Sequence, residues 1–268
     1  MTIIDTHAHI FPPKVERVAT DAIGTFYDHG MAHSGSIEQL LDSGARAGVT
    51  RFVVFSTATT PQQVTRINDF ILDACATHPE FVGAGTMHPE FADFKAELDR
   101  IHDAGIRGIK LHPDFQKFFI DCDALLSVFE YLQEKHMFLI THSGDIRHHF
   151  SDPVRVARVA KLFPKMNVVA AHFGGWSEWD VGRRELAHLP NVYVDTSSTF
   201  GFGGNEQVIE GFRAFDNSHI FFGDDFPMWE HADEIANLRG LGLDDTTLEN
   251  VLGGNFERFL ELYEGETP

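Results

Sequence analysis

The sequence predicts an α/β fold built as a single (β/α)8 TIM-type barrel. Short β-rich apolar runs alternate with amphipathic helical patterns almost to the end of the chain, and there are eight such runs. No Gly-x-Gly-x-x-Gly follows any of them, which counts against an open, doubly wound sheet holding a dinucleotide. The 268 residues match the size at which such barrels close as one unit, about 250 residues. One domain over 1–268 is therefore expected.

The first run, Ile3–Thr6, leads straight into His7 and His9. Side chains of an extended segment alternate faces, so two imidazoles one residue apart point the same way. A long connection follows, Ile10–Gly35, carrying Pro12, Pro13, Phe26, Tyr27, His29 and His33. Ile37, Leu40 and Leu41 then stand at helical spacing before the second run, Phe52–Ser56. Pro61 opens the next helix, whose apolar face is Val64, Ile67, Ile71, Ala74 and Cys75. The third run, Phe81–Met87, ends in His88. The fourth, Ile106–Leu111, has Ile109 and Leu111 on one parity and Lys110 and His112 on the other. With the apolar pair turned to the helices, the lysine and histidine face the barrel interior.

Beyond a Phe-rich connection, Pro113–Asp121, lies a helix marked by Leu125, Val128, Phe129 and Leu132. The fifth run, Met137–Thr141, ends in His142, with Arg147, His148 and His149 just past it. Pro153 begins a helix through Val156, Val159, Ala160 and Phe163, and Pro164 stops it. The sixth run, Asn167–Ala171, ends in His172. The seventh, Val192–Asp195, precedes a Gly- and Phe-rich connection, Ser197–Asn205. The eighth, His219–Phe222, delivers Gly223-Asp224-Asp225-Phe226-Pro227. A last helical segment, Thr246–Leu262, is expected across the barrel exterior, with a frayed tail at 265–268.

Composition narrows the partners. The chain has 21 basic against 40 acidic residues, a formal charge of −19. That surface repels phosphate backbones and anionic lipid, which makes nucleic acid and membranes poor partners and a small molecule the expected one. Only two cysteines are present, Cys75 and Cys122, so there is no disulfide framework. The default compartment is cytoplasmic. The aromatic residues of the three long connections belong at the C-terminal mouth, where barrel enzymes place their sites. They serve either a ring-bearing substrate or an interface between copies of the chain.

A lone histidine at a strand end is usually a hydrogen-bonded core residue. Several at successive strand ends, facing one mouth, are hard to explain as packing. Burying them without a metal or a polar network would cost on the order of 1–3 kcal/mol each. Neutral imidazoles suit zinc, with manganese, iron or cobalt also allowed by the donor types.

The set as a whole resembles the amidohydrolase superfamily, and locally its amidohydrolase-2 branch. That branch contains aminocarboxymuconate-semialdehyde decarboxylase and related metal-dependent hydrolases. The resemblance rests on IDTHAHIFP near the start, ITHSGD at 140–145, AHFGG at 171–175, GDDFP at 223–227 and LGGNFERFL near the end. It implies that His7, His9, His142 and Asp225 hold a divalent metal, most often zinc, as one ion or two. It implies acid/base or oxyanion work for His172, with Asp225 taking or relaying a proton. Asp224 stands where the family pattern has a hydroxyl residue. Lys110 is a carboxylated bridge between two ions, a substrate-binding cation or the partner of an acid. His88 and His112 either line the pocket for substrate or only hydrogen-bond locally. Arg147, with His148 and His149, either meets an anionic substrate or is simply solvated.

The expected chemistry is hydrolysis. A divalent metal lowers the pKa of water from 15.7 to about 7, supplying hydroxide to attack the carbonyl of an amide, lactone or ester in a small carboxylate- or ring-bearing substrate. The alternative is a metal-dependent non-oxidative decarboxylase, a lyase, with which the HxHIFP opening agrees and the GIKLHP strand does not. A non-catalytic metal-binding barrel is the third reading.

Overall fold

The computed structural model describes residues 2–263. Eight parallel strands follow one another in chain order around the sheet. They are β1 (Ile4–His9), β2 (Arg51–Phe55), β3 (Phe81–Thr86), β4 (Gly108–Leu111), β5 (Phe138–Thr141), β6 (Val168–Ala170), β7 (Val192–Asp195) and β8 (Ile220–Phe221). Each lies on the run expected from the sequence. Helices α1 (Glu16–Tyr27) and α2 (Ile37–Ala47) follow β1, α3 (Val64–Thr77) follows β2, and α4 (Phe94–Asp103) follows β3. Then come α5 (Pro113–Gln116), α6 (Asp123–Glu134), α7 (Pro153–Leu162), α8 (Trp179–Leu186), α9 (Thr199–Ala214) and α10 (His231–Arg239). The chain ends in α11 (Asp245–Glu249) and α12 (Asn255–Glu261). This is a nearly closed (β/α)8 barrel.

Where the strands end decides the site. β1 runs on past Thr6 because it keeps pairing with β2, Ala8 opposite Val54 and His9 opposite Phe55, across an irregularity between Asp5 and Ala8. The seam between β8 and β1 is closed by single bonds. The Thr6 amide donates to Phe222 O (2.9 Å), the Asp225 amide to His7 O (3.0 Å) and the His9 amide to Phe226 O (2.8 Å). In β4 the parity expectation holds. Ile109 and Leu111 join the core between strands and helices, while Lys110 is fully buried inside the barrel.

Three expectations are corrected. The connection Ile10–Gly35 is not all loop, because it contains α1. Ala19, Ile23, Phe26 and Tyr27 share a helical face, and Phe26 and Tyr27 pack on Phe115 and Trp176, ring centroids 4.4 and 5.0 Å apart. The segment Ser197–Asn205 likewise passes into α9, bent at Gly204, whose φ is 70°. The C-terminal helix neither runs unbroken nor lies across the exterior. A wide π turn over Asn250–Gly254 joins α11 to α12. Gly253 sits there so close to the backbone that a Cβ would meet Thr2 O at 2.3 Å. The turn aims Phe256, Phe259 and Leu260 of α12 into the apolar end of the barrel beside Ile4, Val53, Phe138 and Phe221. The tail expected at 265–268 lies outside the described residues. Among the described residues no helix is long and apolar enough to cross a membrane.

Candidate metal centre

The C-terminal ends of the strands converge on a polar cluster. From β1 come His7 and His9, their ring centroids 5.4 Å apart. From the segment after β8 comes Asp225, whose Oδ1 lies 3.4 Å from His7 Nε2 and 3.8 Å from His9 Nε2. His7, His9 and Asp225 offer donor atoms within 4.8 Å of one another, as do His7, His172 and Asp195. Asp225 has φ 69°, a left-handed conformation that side chains seldom adopt without a local reason. Its other oxygen accepts from Ser198 Oγ at 2.5 Å.

Ring protons can be placed from partners that only accept. His7 Nδ1 faces Asp195 Oδ2 at 2.9 Å, His142 Nε2 faces Gly144 O at 2.9 Å, and His172 Nδ1 faces Ser197 O at 2.9 Å. A carboxylate or carbonyl oxygen can only receive, so each ring carries its proton on that nitrogen. That leaves His7 Nε2, His142 Nδ1 and His172 Nε2 without a ring proton, the first of them with Lys110 Nζ at 3.0 Å. His142 Nδ1 and His172 Nε2 face each other at 3.0 Å, two lone pairs with nothing between them to attract both. Ligating histidines are held this way, one N–H donated outward to oxygen and the other nitrogen free for the ion. The residues present therefore fit a divalent cation.

Electrostatics agree. Burial, then Lys110 and neighbouring rings, hold the His9, His112 and His142 pKa values well below the ordinary histidine value. His172 is lowered to about 4, chiefly by burial. Such rings are neutral at pH 7, the form that binds metal. Burial works against ionised Asp225 and Asp195, yet their electrostatic interactions with the His7 and His172 rings and the hydrogen bonds they accept, from Ser198 and from His7 and Ser197 respectively, outweigh it and hold both carboxyl groups below the usual range. Lys110 is brought down to about 8 by burial, opposed by Asp195 and Asp225. Its Nζ lies 3.0 Å from His7 Nε2 and 4.8 Å from the centre of the Phe55 ring.

Asp5 ties the two ligand-bearing strands together. Its Oδ1 accepts from the His7 amide and the Asp224 amide, both at 2.9 Å. Its Oδ2 accepts from His231 Nε2 at 3.1 Å. Asp224 points away from the cluster toward α10. Both of its oxygens are buried without a hydrogen-bond partner, and burial pushes its pKa up to about 8.

Over the cluster lies a cavity of about 10 Å³ lined by His7, His9, Tyr27, His112, His172 and Asp225 among others, room for one water-sized body. Its roof is the C-terminal end of α1. Tyr27 packs on Trp176 at 5.0 Å and Phe202 at 6.0 Å. His112 lines the cavity as the sequence suggests, whereas His88 is not part of the lining. His88 Nδ1 accepts from the Glu90 amide and its ring meets Phe118. Arg147 is not part of the lining either. Its guanidinium is spent on both oxygens of Asp145 and on Phe26 O at 2.8 Å, and it stacks on Phe26 and Trp176. It latches the roof.

Two site residues escaped the sequence reading. Asp195 ends β7 as the histidines end their strands, and that shared position was the available signal. Tyr27 stood among several aromatics of one long connection, and nothing local separates it from Phe26.

Polar donors gathered at the strand C-termini place a candidate metal site at the mouth where barrel enzymes carry their active sites. The fold is similar to that of an uncharacterized TIM-barrel protein from Bordetella bronchiseptica, with a TM-score of 0.77 and 20% identity over 98% of this chain and 99% of that one. A dihydroxybenzoic acid decarboxylase from Polaromonas sp. JS666, solved with bound manganese and the inhibitor 2-nitroresorcinol, gives a TM-score of 0.72 at 15% identity over 99% of this chain and 98% of that one. A candidate 2-pyrone-4,6-dicarboxylic acid hydrolase from Pseudomonas putida gives 0.69 at 17% identity over 99% of both chains. At such identities the likeness speaks to the fold alone. No curated protein matches the sequence significantly. The amidohydrolase family model matches residues 4–262. The chain belongs to the amidohydrolase family, whose members are metal-dependent enzymes.

Proposed function

We propose that this chain is a metal-dependent hydrolase, acting as one domain on the carbonyl of a small ring-bearing ester, lactone or amide. The observation that carries the reading is the cavity itself. It has water-sized room beside Asp225 and the unprotonated His7 nitrogen, and its lining includes no lysine or arginine among the described residues. A substrate carboxylate would find no guanidinium there, whereas a neutral carbonyl needs none. A ring needs more room than this, so α1 would have to swing out to admit it; the apolar lining it would then meet includes Ile23, Met31, Phe115 and Met228.

His7, His9 and Asp225 would hold the ion, with His142 and His172 offering their bare nitrogens beside it. When bound, zinc or another divalent metal supplies Lewis acidity and a water acidic enough to serve as nucleophile near neutral pH. Asp225, ionised and next to that space, accepts the proton as water oxygen bonds to the carbonyl carbon. The bond to the leaving oxygen or nitrogen then breaks, and Asp225 returns the proton to it. His172 has a bare Nε2 and a pKa of about 4, so it serves as a proton acceptor or ligand and donates only after gaining a proton. Lys110, beneath His7, adjusts the charge at the ligand nitrogen from inside the barrel.

Decarboxylation is the second reading, favoured by the manganese-bound decarboxylase of similar fold. The test offers zinc- and manganese-loaded protein a panel of aryl esters, lactones and amides alongside hydroxybenzoic acids. Acid release from the first group without carbon dioxide from the second is expected. Carbon dioxide release without hydrolysis would reverse the order.

A further inference from the structure

Hydrolysis of a carbonyl needs a hydrogen-bond donor where negative charge develops on oxygen, and the three rings whose protons are placed above do not supply one. His7, His142 and His172 turn their N–H groups outward. Tyr27 is different. Its Oη lies 2.9 Å from His112 Nε2, and the other nitrogen of that ring, Nδ1, is approached by the Phe115 amide at 3.3 Å. A backbone N–H can only donate, so His112 Nδ1 is bare and the ring proton sits on Nε2. Nε2–H therefore donates to the tyrosine oxygen. The tyrosine's own O–H proton is left over, and among the described residues no second partner takes it. Tyr27 also lines the cavity, together with His7, His9, His172 and Asp225. Its ring is fixed from several sides, by Trp176 at 5.0 Å, Phe115 at 5.8 Å and Phe202 at 6.0 Å.

We propose that Tyr27 is a further catalytic residue, whose hydroxyl donates to the substrate carbonyl oxygen as charge builds there, and that His112 is its positioning residue. This rests on the hydrolytic reading. The phenol proton is only shared, so nothing is consumed. Because Tyr27 closes α1, the same helix that roofs the cavity brings the donor, and an open roof leaves the site without it.

The test compares wild type with Tyr27→Phe, which keeps the buried ring and removes only the hydroxyl. Phenylphosphonate, a ring-bearing tetrahedral oxyanion, is titrated calorimetrically into zinc-loaded protein, and zinc content is measured alongside. The variant is expected to retain zinc and bind about tenfold more weakly, the worth of one hydrogen bond. On any panel ester that is turned over, its kcat should fall about 100-fold with KM changed less than about threefold. His112→Gln, whose amide can still donate to the tyrosine oxygen, should bind within about threefold of wild type. His112→Leu should weaken binding as Tyr27→Phe does, and combining the two should add nothing. Equal affinity of wild type and Tyr27→Phe, or no binding by either, overturns the proposal. Tyr27-dependent binding with no turnover of any ester, lactone or amide would leave the donor standing and remove the hydrolytic reading. Turnover that Tyr27→Phe leaves untouched would do the reverse.

Discussion

The two ends of this barrel bury their side chains by opposite means. At the N-terminal end the interior is filled by Ile4, Val53, Phe138 and Phe221, capped by Phe256 and Phe259 from α12. At the C-terminal end the same strands bury His7, His9, Lys110, His142, His172 and Asp195. Each phenylalanine at the first end contributes roughly 1.5–3 kcal/mol through lost water contact. Each polar group at the second costs free energy unless paired, and here two facing ring nitrogens, His142 Nδ1 and His172 Nε2, have no proton between them. The comparison teaches that folding is secured at one end so that the other can hold groups in an arrangement that is unfavourable without a cation.

The largest expected effect separates the ends outright. Asp225→Asn keeps the shape of the side chain and removes its charge. It should lower turnover on the order of a thousandfold, with metal retention reduced, while the urea midpoint moves little. Phe221→Ala should do the opposite, losing about 3–5 kcal/mol in urea unfolding while metal bound per folded chain is unchanged. A stability loss of that size from Asp225→Asn would break the comparison.

Acid should weaken only the polar end. His172 is lowered to about 4 in the fold against an ordinary unfolded value near 6.5. Between those values the unfolded chain binds the extra proton, so stability is present above about pH 6.5 and is lost as pH falls toward about 4. For His172 alone the loss in metal-free protein is on the order of 3 kcal/mol, and His9, His112 and His142 shift in the same direction. Asp224 and Glu234, raised to about 8 by burial, act in the opposite sense over this range. The test is therefore the difference between thermal melts of metal-free wild type and His172→Gln, which should change between about pH 6.5 and 4. A difference that does not vary with pH would contradict it. The smallest effect sharpens the picture at the seam. Asp5→Asn loosens the clamp on the His7 and Asp224 amides and should weaken metal affinity about 10–100-fold in a competition titration, as for other groups that orient ligands.

Much of this was legible beforehand, for a physical reason. Strand runs and the inward parity of Lys110 and His112 are local patterns, and a barrel repeats them eight times. The helix carrying Tyr27 was hidden by Pro12-Pro13 and by a connection whose aromatics read as loop, although Ala19, Ile23, Phe26 and Tyr27 do stand at helical spacing. The outward partners of the rings were not legible. Asp195 meets His7 and Ser197 O meets His172 only through contacts between segments distant in sequence, and Gly144 O, two residues from His142, accepts only because the backbone turns at that glycine. Asp145 stands two residues before Arg147, but its pairing with that guanidinium depends on how the loop turns, and the π turn that sends α12 into the barrel end depends on contacts distant in sequence.

The central claim is that the β1–β8 seam holds a divalent cation. Metal-free protein dialysed against zinc or manganese and then analysed for metal tests it most directly, with His7→Gln, His9→Gln and Asp225→Asn alongside. At least one ion per wild-type chain, lost or strongly weakened in all three variants, is the predicted result. Wild type that retains no ion, or variants that retain as much as wild type, would contradict it.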